Sequence, residues 1–278
     1  MNSSDLAALK DWFSKYARTF LTDNAEDCRN IDLKIRHTLL VCENAVRIAR
    51  AESLNDNDNM IAETAALFHD VGRFLQYSRH KTFRDNISVN HGRLGAEILR
   101  EKNVLGPVPL HEQELIINTV HFHNAFKLPA FEDQKNILFL RLIRDADKLD
   151  IWRVFAEYYH GPQKEQASAV ALGLPDRPDD YSNAVLSCLY EKKLATLADL
   201  KTLNDFKLMQ LSWVYDLNFK HSFELLMKRN IIQNIASTLP QTEEITEAVA
   251  LTEKFVTENS LDSPFTILKQ IDNSAIKK

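Results

Sequence analysis

Residues 63–72 read ETAALFHDVG, a short apolar helical run that ends in an adjacent histidine and aspartate. Successive side chains of a helix point about 100° apart, so both can face one metal ion only where the helix ends. Gly72 is predicted to supply that ending. An imidazole nitrogen beside a carboxylate oxygen suits iron, manganese, zinc or nickel better than calcium or magnesium. A metal site at this point needs further histidine and aspartate ligands from other helices.

The composition is that of a globular and mainly helical chain. Of the 278 residues, 45% are hydrophobic and 26% are charged, which is enough to bury a full core. Only 6 Gly and 8 Pro are present, so few tight turns are available for a many-stranded sheet. We expect a single all-α domain over residues 1–278, with further helices in a C-terminal extension at 181–278.

Charge and cysteine usage limit the partners and the compartment. The net charge of -5, with the signs interspersed, gives no basic stripe for duplex nucleic acid or an anionic membrane. Three widely spaced cysteines match no metal or redox pattern and fit reduced thiols. We expect no leader segment, because the first residues lack a basic stretch followed by an apolar one, and no long uninterrupted apolar run appears. We expect a cytoplasmic protein without membrane contact, and the apolar C-terminal helices also allow a homodimer.

Candidate ligands lie on successive predicted helices. His37 lies in the first half of one helix, the His-Asp pair ends the next, and His91 and His123 follow on two more. An aspartate then comes from a later acidic run, in which Asp145 and Asp147 point to opposite sides of a helix. One of these two should be a ligand, and the other should face solvent or form a salt bridge. An ordered set of this kind indicates a metal site.

The order of these residues resembles the HD-domain metal-dependent phosphohydrolase superfamily, whose helical core carries a histidine, a His-Asp pair and a later aspartate. The resemblance covers roughly residues 31–160. It is closer to a bacterial subgroup whose segments are similar to HDVGRF at 69–74, TFRD at 82–85, NHG at 90–92 and RDADKLD at 144–150. It implies an all-α HD-domain helical bundle followed by additional C-terminal helices.

The resemblance also implies roles for the site residues. It implies a divalent transition metal (Mn, Fe, Zn, Ni or Co), one or two ions, with the ligands His37, His69, Asp70 and Asp147. His91 and His123 fall where two-metal members have further ligands, or else they give a proton to the leaving oxygen. The two-metal phosphodiesterase branch has paired histidines where this chain has His123-Asn124, so the number of ions stays open. Arg73 and Lys148 are expected to hold the phosphate of the substrate.

The expected activity is hydrolysis of a phosphate ester by metal-activated water, with a nucleotide or a similar small phosphorylated metabolite as substrate. A di-iron oxygenase on the same scaffold is one alternative, and it would require His91 and His123 as ligands. A nucleotide-binding regulatory module without turnover is another. Substrate choice is expected to lie in the loops at 72–88 and 161–180, of which the second is the best candidate for a mobile lid.

Overall fold

The computed structural model describes residues 1–131, 133–160, 167–170 and 173–261. Over these residues the chain forms twelve α-helices and no β-strand, which confirms the all-α prediction. None of the described helices combines the length and the apolar character that crossing a membrane requires. Contacts divide the chain into two compact units, Met1–Leu172 and Gly173–Lys278. That the two units form one domain stays a prediction.

Seven α-helices build the N-terminal unit. The two longest, α2 and α7, pack against each other, and α3 packs against both. Helix α3 also packs against α6, α6 packs against α5, and α5 packs against α4. The helices are α1 (Ser3–Arg18), α2 (Ala25–Ala51), α3 (Asp56–Phe68), α4 (Val71–His80), α5 (His91–Glu101), α6 (Leu110–Phe122) and α7 (Gln134–His160).

Asparagine side chains fix where two helices of this unit begin. The Asn55 side chain accepts a hydrogen bond from the backbone N–H of Asp58 and starts α3. The Asn90 side chain accepts from the backbone N–H of Arg93, so that α5 begins at His91. An N-cap of this kind satisfies a backbone donor that the first turn cannot pair internally. The cap at Asn90 therefore holds His91 as the first residue of its helix.

Helix α4 corrects the expectation of a continuous loop over residues 72–88. The chain turns after α3 and begins a new helix at Val71, because Val71, Phe74 and Tyr77 bury one side of it. Lys81 ends this helix in the left-handed conformation, at φ 54. What stays irregular is the stretch from residue 81 to residue 90, apart from one short 3₁₀ helix.

Gly72 serves a close approach between two helices, so its predicted role as a helix end is wrong. Helix α3 already ends at Phe68, and Gly72 is the second residue of α4. A Cβ atom on Gly72 would lie 2.2 Å from the backbone carbonyl oxygen of His91 and 2.8 Å from the backbone nitrogen of Gly95. Because both atoms belong to the backbone of α5, no side-chain rotation can make room.

We expect Gly72→Ala to lower the free energy of unfolding by about 3 kcal/mol, at the upper end of overpacking costs. The reason is that α5 must move away from α4. Gly106→Ala is the control, since its new Cβ would meet the Asn103 side-chain nitrogen at 2.9 Å, and that side chain can rotate. Urea unfolding of both variants gives the comparison. Equal losses would contradict the packing argument.

Five α-helices build the described part of the C-terminal unit, as the predicted extension requires. A capping box of Thr202 and Asp205 starts α9, and the buried Asp205 carboxylate also accepts from the backbone N–H of Ser182. The helices are α8 (Asn183–Tyr190), α9 (Leu203–Ser212), α10 (Lys220–Lys228), α11 (Ile231–Ala236) and α12 (Glu243–Leu261). The end of the predicted extension, residues 262–278, lies outside the described residues.

The proposed lid falls only partly within the described residues, because residues 161–166 and 171–172 lie outside them. Ser168–Val170 forms a short 3₁₀ helix. The Asn30 side chain of α2 accepts a hydrogen bond from the backbone N–H of Ala169 at 3.0 Å. A lid function for this segment stays a prediction.

Candidate metal centre

Six side chains that the sequence analysis singles out meet inside the N-terminal unit. They come from α2, the turn between α3 and α4, the first residue of α5, the end of α6 and the middle of α7, in the order His37, His69 with Asp70, His91, His123 and Asp147. All are almost fully buried except Asp147, whose side chain is 19% exposed. Asp147 therefore marks a side of the cluster that solvent can reach.

The Asp70 carboxylate lies between two pairs of histidines. Its Oδ2 atom is 3.5 Å from Nε2 of His37 and 3.6 Å from Nε2 of His69. Its Oδ1 atom is 3.3 Å from Nε2 of His91 and 3.9 Å from Nε2 of His123. Each pair with Asp70 forms a group whose ligand atoms all lie within 4.8 Å of one another. Two adjacent groups that can hold a metal ion thus share one carboxylate.

Two of the four imidazoles are oriented by carboxylates. Nδ1 of His37 lies 2.7 Å from Oδ2 of Asp150, and Nδ1 of His91 lies 2.7 Å from Oδ2 of Asp85. An acceptor at Nδ1 places the hydrogen of a neutral imidazole there and leaves the lone pair on Nε2. Carboxylates in this position orient metal-binding histidines and raise their basicity.

The other two imidazoles are oriented by their own helices. Nδ1 of His69 lies 2.6 Å from the backbone carbonyl oxygen three residues earlier, and Nδ1 of His123 lies 2.8 Å from the equivalent oxygen in α6. Both residues stand at a helix end, where carbonyl oxygens have no partner in the next turn. In their neutral forms these two imidazoles also turn the Nε2 lone pair towards Asp70.

This arrangement fits a divalent cation. Nε2 of His37 lies 3.3 Å from Nε2 of His69, and Nε2 of His91 lies 3.0 Å from Nε2 of His123. Lone pairs that face each other at such distances repel, and a cation relieves the repulsion. The buried Oδ1 atom of Asp147, 3.1 Å from Nε2 of His37, accepts no hydrogen bond of acceptable geometry. Imidazole nitrogens with carboxylate oxygens suit Mn, Fe, Co, Ni or Zn.

Electrostatics keep most of these groups in the form that binds a metal. Burial lowers the pKa of His123 to about 3, helped by the charges of His91 and His69, so its imidazole is neutral at pH 7. Burial alone would raise the pKa of Asp70, but the nearby positive charges, first that of Lys34, hold this pKa well below its usual range. The carboxylate is therefore ionised.

His37 behaves differently from the other imidazoles of the cluster. Burial and the charge of Lys34 lower its pKa, but Asp147 and Asp150 outweigh them and raise it. The two carboxylates therefore favour the protonated form of His37, and a proton on this histidine competes with a metal ion.

Asp85 accepts four hydrogen bonds beside the ligand group of Asp70, His91 and His123, which we call the second group. Its carboxylate accepts from His91 Nδ1 at 2.7 Å, Arg73 Nη1 at 2.8 Å, Gln76 Nε2 at 2.9 Å and Asn124 Nδ2 at 3.0 Å. Asn124, which stands where the two-metal phosphodiesterase branch has a second histidine, thus contributes to this network. Asp85 is a positioning residue for His91.

We expect Asp85→Asn to weaken cation binding at the His91/His123 group by about tenfold, the lower end of the usual effect of losing an outer partner. Binding at the His37/His69 group should change little. Calorimetric titration with Mn²⁺ separates the two groups. Asp27→Asn is the control, since Asp27 pairs with Lys81 and Tyr77 instead of a cluster residue. Equal weakening at both groups would contradict the assignment.

Arg73, expected to hold phosphate, is held by the protein itself. Its Nη1 atom donates to Gln76, Asp85 and the backbone carbonyl oxygen of Phe83. Its Nε atom is 3.4 Å from Oδ1 of Asp70. The guanidinium therefore supports the second group. Lys148 follows Asp147 on α7 and is half-buried, and phosphate binding by either residue stays a prediction.

The two candidate aspartates of α7 have different surroundings. Asp147 Oδ1 is 3.1 Å from His37 and 3.6 Å from His69, so Asp147 is the aspartate that the structure brings to the cluster. Asp145 is fully buried, and the alternative in which it faces solvent is wrong.

Two neighbours of the cluster were missed by the sequence analysis. Asp150, which accepts from His37, follows Asp147 by three residues and so lies on the same side of α7. Lys34, whose Nζ atom is 2.6 Å from Oδ2 of Asp70, precedes His37 by the same spacing on α2. The three-residue spacing was the available signal, but it does not show which charged neighbours turn inward.

A comparison with protein families matches residues 35–152 to the HD domain. Comparisons with curated proteins and with solved structures gave no match. The matched segment begins two residues before His37 and ends five residues after Asp147, so it contains all six clustered side chains. Domains of this family are helical and bind divalent metal ions, which agrees with the helices and with the histidine and aspartate cluster of this chain. The chain is therefore similar to HD domains over residues 35–152.

Proposed function

We propose that this chain is a metal-dependent phosphohydrolase that acts on a phosphate ester of a small metabolite, such as a nucleotide. The observation that carries the proposal is the inward orientation of four imidazoles around the two oxygens of Asp70. The residues that would hold a first cation are His37, His69, Asp70 and Asp147. A second cation would be held by His91 and His123 together with Asp70.

A divalent cation in such a site lowers the pKa of a water ligand and draws electron density from a phosphoryl oxygen. The chain supplies the remaining functions. Asp70 and Asp147 stay ionised and so offset the positive charge, while burial keeps bulk water from screening it. With one cation present, His91 would accept at Nε2 the proton that the attacking water loses and would return it to the leaving oxygen, since burial and the charge of Arg73 lower its pKa and leave it neutral.

A di-iron oxygenase is the second candidate, and one observation favours it. The structure brings together both histidine pairs and both carboxylates, which is the ligand set that such chemistry requires. Hydrolysis is preferred because it works with one cation or two, whereas oxygenation needs two redox-active ions. A nucleotide-binding regulatory module without turnover is the third candidate.

Metal content and product formation test the proposal together. The protein is purified without added metal or chelator, its metal is counted by elemental analysis, and phosphate release is screened over nucleotides and sugar phosphates with Mn²⁺. One equivalent of metal with phosphate release supports the hydrolase. Two equivalents of iron with oxygen uptake and no phosphate release support the oxygenase. If the protein takes up no metal, the regulatory module is the remaining candidate function.

A further inference from the structure

Lys34, a residue of α2 beside the candidate metal centre, has two competing uses. We propose that Lys34 binds the phosphate of the substrate after a divalent cation has displaced it from Asp70. Its ammonium group pairs with the Asp70 carboxylate until the cation binds, and it then binds the phosphate. This inference rests on the proposed function, because it takes a cation at Asp70 and an anionic substrate as given.

The ammonium group of Lys34 occupies the oxygen that the first ligand group needs. Its Nζ atom is 2.6 Å from Oδ2 of Asp70, and the two side chains are 14% and 4% exposed. The same Oδ2 atom faces His37 Nε2 at 3.5 Å and His69 Nε2 at 3.6 Å. An ammonium group and a divalent cation on one buried oxygen repel each other, since little water screens them. A cation bound to this oxygen therefore displaces Lys34.

A displaced Lys34 side chain remains near the cluster. Its Nζ atom already lies 5.2 Å from the ring centroid of Phe83, a half-buried residue of the irregular stretch after α4. The guanidinium carbon of Arg73 lies 5.9 Å from the same centroid, and Asp85 holds that guanidinium in place. Two positive groups thus adjoin one ring beside the metal centre. A phosphate group carries the charge and the acceptor oxygens that such donors bind.

An order of binding follows from this arrangement. Without a cation, Lys34 compensates the charge of Asp70, which would otherwise be a costly buried charge. In that state its ammonium group already has a carboxylate partner and attracts phosphate less. Once a cation compensates Asp70, Lys34 is released to bind an anion. Binding of the cation therefore raises the affinity for phosphate, which favours the order in which the cation binds first.

The first test measures metal affinity without turnover. Metal-free wild type, Lys34→Gln, Lys34→Arg and Lys135→Gln are titrated with Mn²⁺ by calorimetry. Lys34→Gln should bind its first Mn²⁺ about tenfold more tightly, the lower end of what a charge-assisted hydrogen bond contributes. Lys34→Arg keeps the positive charge and should stay near wild type. Lys135→Gln is the matched control, because Lys135 pairs with the poorly exposed Asp58 at 3.0 Å.

The second test uses inorganic phosphate as the probe on protein saturated with Mn²⁺. Lys34→Gln should bind phosphate about tenfold more weakly, since a charged donor to the anion is lost. Lys34→Arg should restore most of the affinity, and Lys135→Gln should bind as wild type does. Far-ultraviolet circular dichroism checks folding, and Lys34→Met, which keeps the apolar stem, replaces Lys34→Gln if the glutamine variant is unfolded.

The outcomes separate this inference from the proposed function. Wild type that binds no Mn²⁺ defeats the proposed function before any variant is compared. Unchanged or weaker Mn²⁺ binding by Lys34→Gln overturns only the inference and makes Lys34 a support for Asp70. Unchanged phosphate binding by the Mn²⁺-loaded variant also overturns it. Tighter Mn²⁺ binding together with weaker phosphate binding is the combination that the inference requires.

Discussion

Replacing Asp70 by alanine is expected to abolish metal retention in both ligand groups at once. One carboxylate oxygen belongs to the group with His37 and His69, and the other belongs to the group with His91 and His123. Loss of an outer partner already costs about tenfold to a hundredfold in metal affinity, and loss of a shared ligand should exceed that range. Elemental analysis after dialysis without chelator makes the measurement.

Controls for this experiment concern folding and site identity. Asp70→Ala also leaves Lys34 and Arg73 without their Asp70 partner, so Asp70→Asn, which keeps the shape of the side chain, accompanies it. His69→Ala should abolish retention of the first ion without the same effect on the His91/His123 group. Normal metal content in folded Asp70→Asn and Asp70→Ala would contradict the assignment of this centre.

Asp147→Asn should lose much more metal than Asp145→Asn. One carboxylate oxygen of Asp147 lies 3.1 Å from Nε2 of His37 and 3.6 Å from Nε2 of His69, so Asp147 lies at the first ligand group. We expect affinity for the first ion to fall about a hundredfold in Asp147→Asn, as for a lost ligand or a strong outer partner. The same Mn²⁺ titration compares the two variants.

Asp145→Asn is expected to affect stability instead of metal binding. A substitution at a fully buried carboxylate perturbs the contacts around it, so this variant should unfold at lower urea concentration while it keeps its metal affinity. Urea unfolding of both metal-free variants therefore accompanies the titration. If Asp145→Asn instead shows the larger loss of metal, the ligand on α7 is Asp145.

The helical architecture was predictable because its signals are local. The three- and four-residue spacing of apolar residues marks most of the helices. His37 lies within α2, His69 directly follows α3, and His91 is the first residue of α5. The structure brings these residues together because α2, α3 and α6 pack side by side, and α5 packs against α6. Such packing follows from burial of apolar sides.

What the sequence did not reveal depends on contacts between distant residues. Helix α4 was missed because the polar residues after Gly72 hide a short buried side, which only packing against other helices makes favourable. Asp85 and Lys34 are separated from their partners His91 and Asp70 by loops or whole helices. The distances from Asp85 to His91 and from Lys34 to Asp70 depend on how those segments pack. The spacing of residues along the sequence does not predict that packing.

The sharing of Asp70 has a thermodynamic consequence for metal supply. A carboxylate that belongs to two ligand groups has one negative charge to divide between them, so occupation of one group must change the affinity of the other by a coupling free energy that is reciprocal. Repulsion between like charges makes that coupling unfavourable. The two groups then fill at different free-ion concentrations, and the half-filled protein prevails over an intermediate range. The number of ions per chain would in that case follow the surrounding metal concentration.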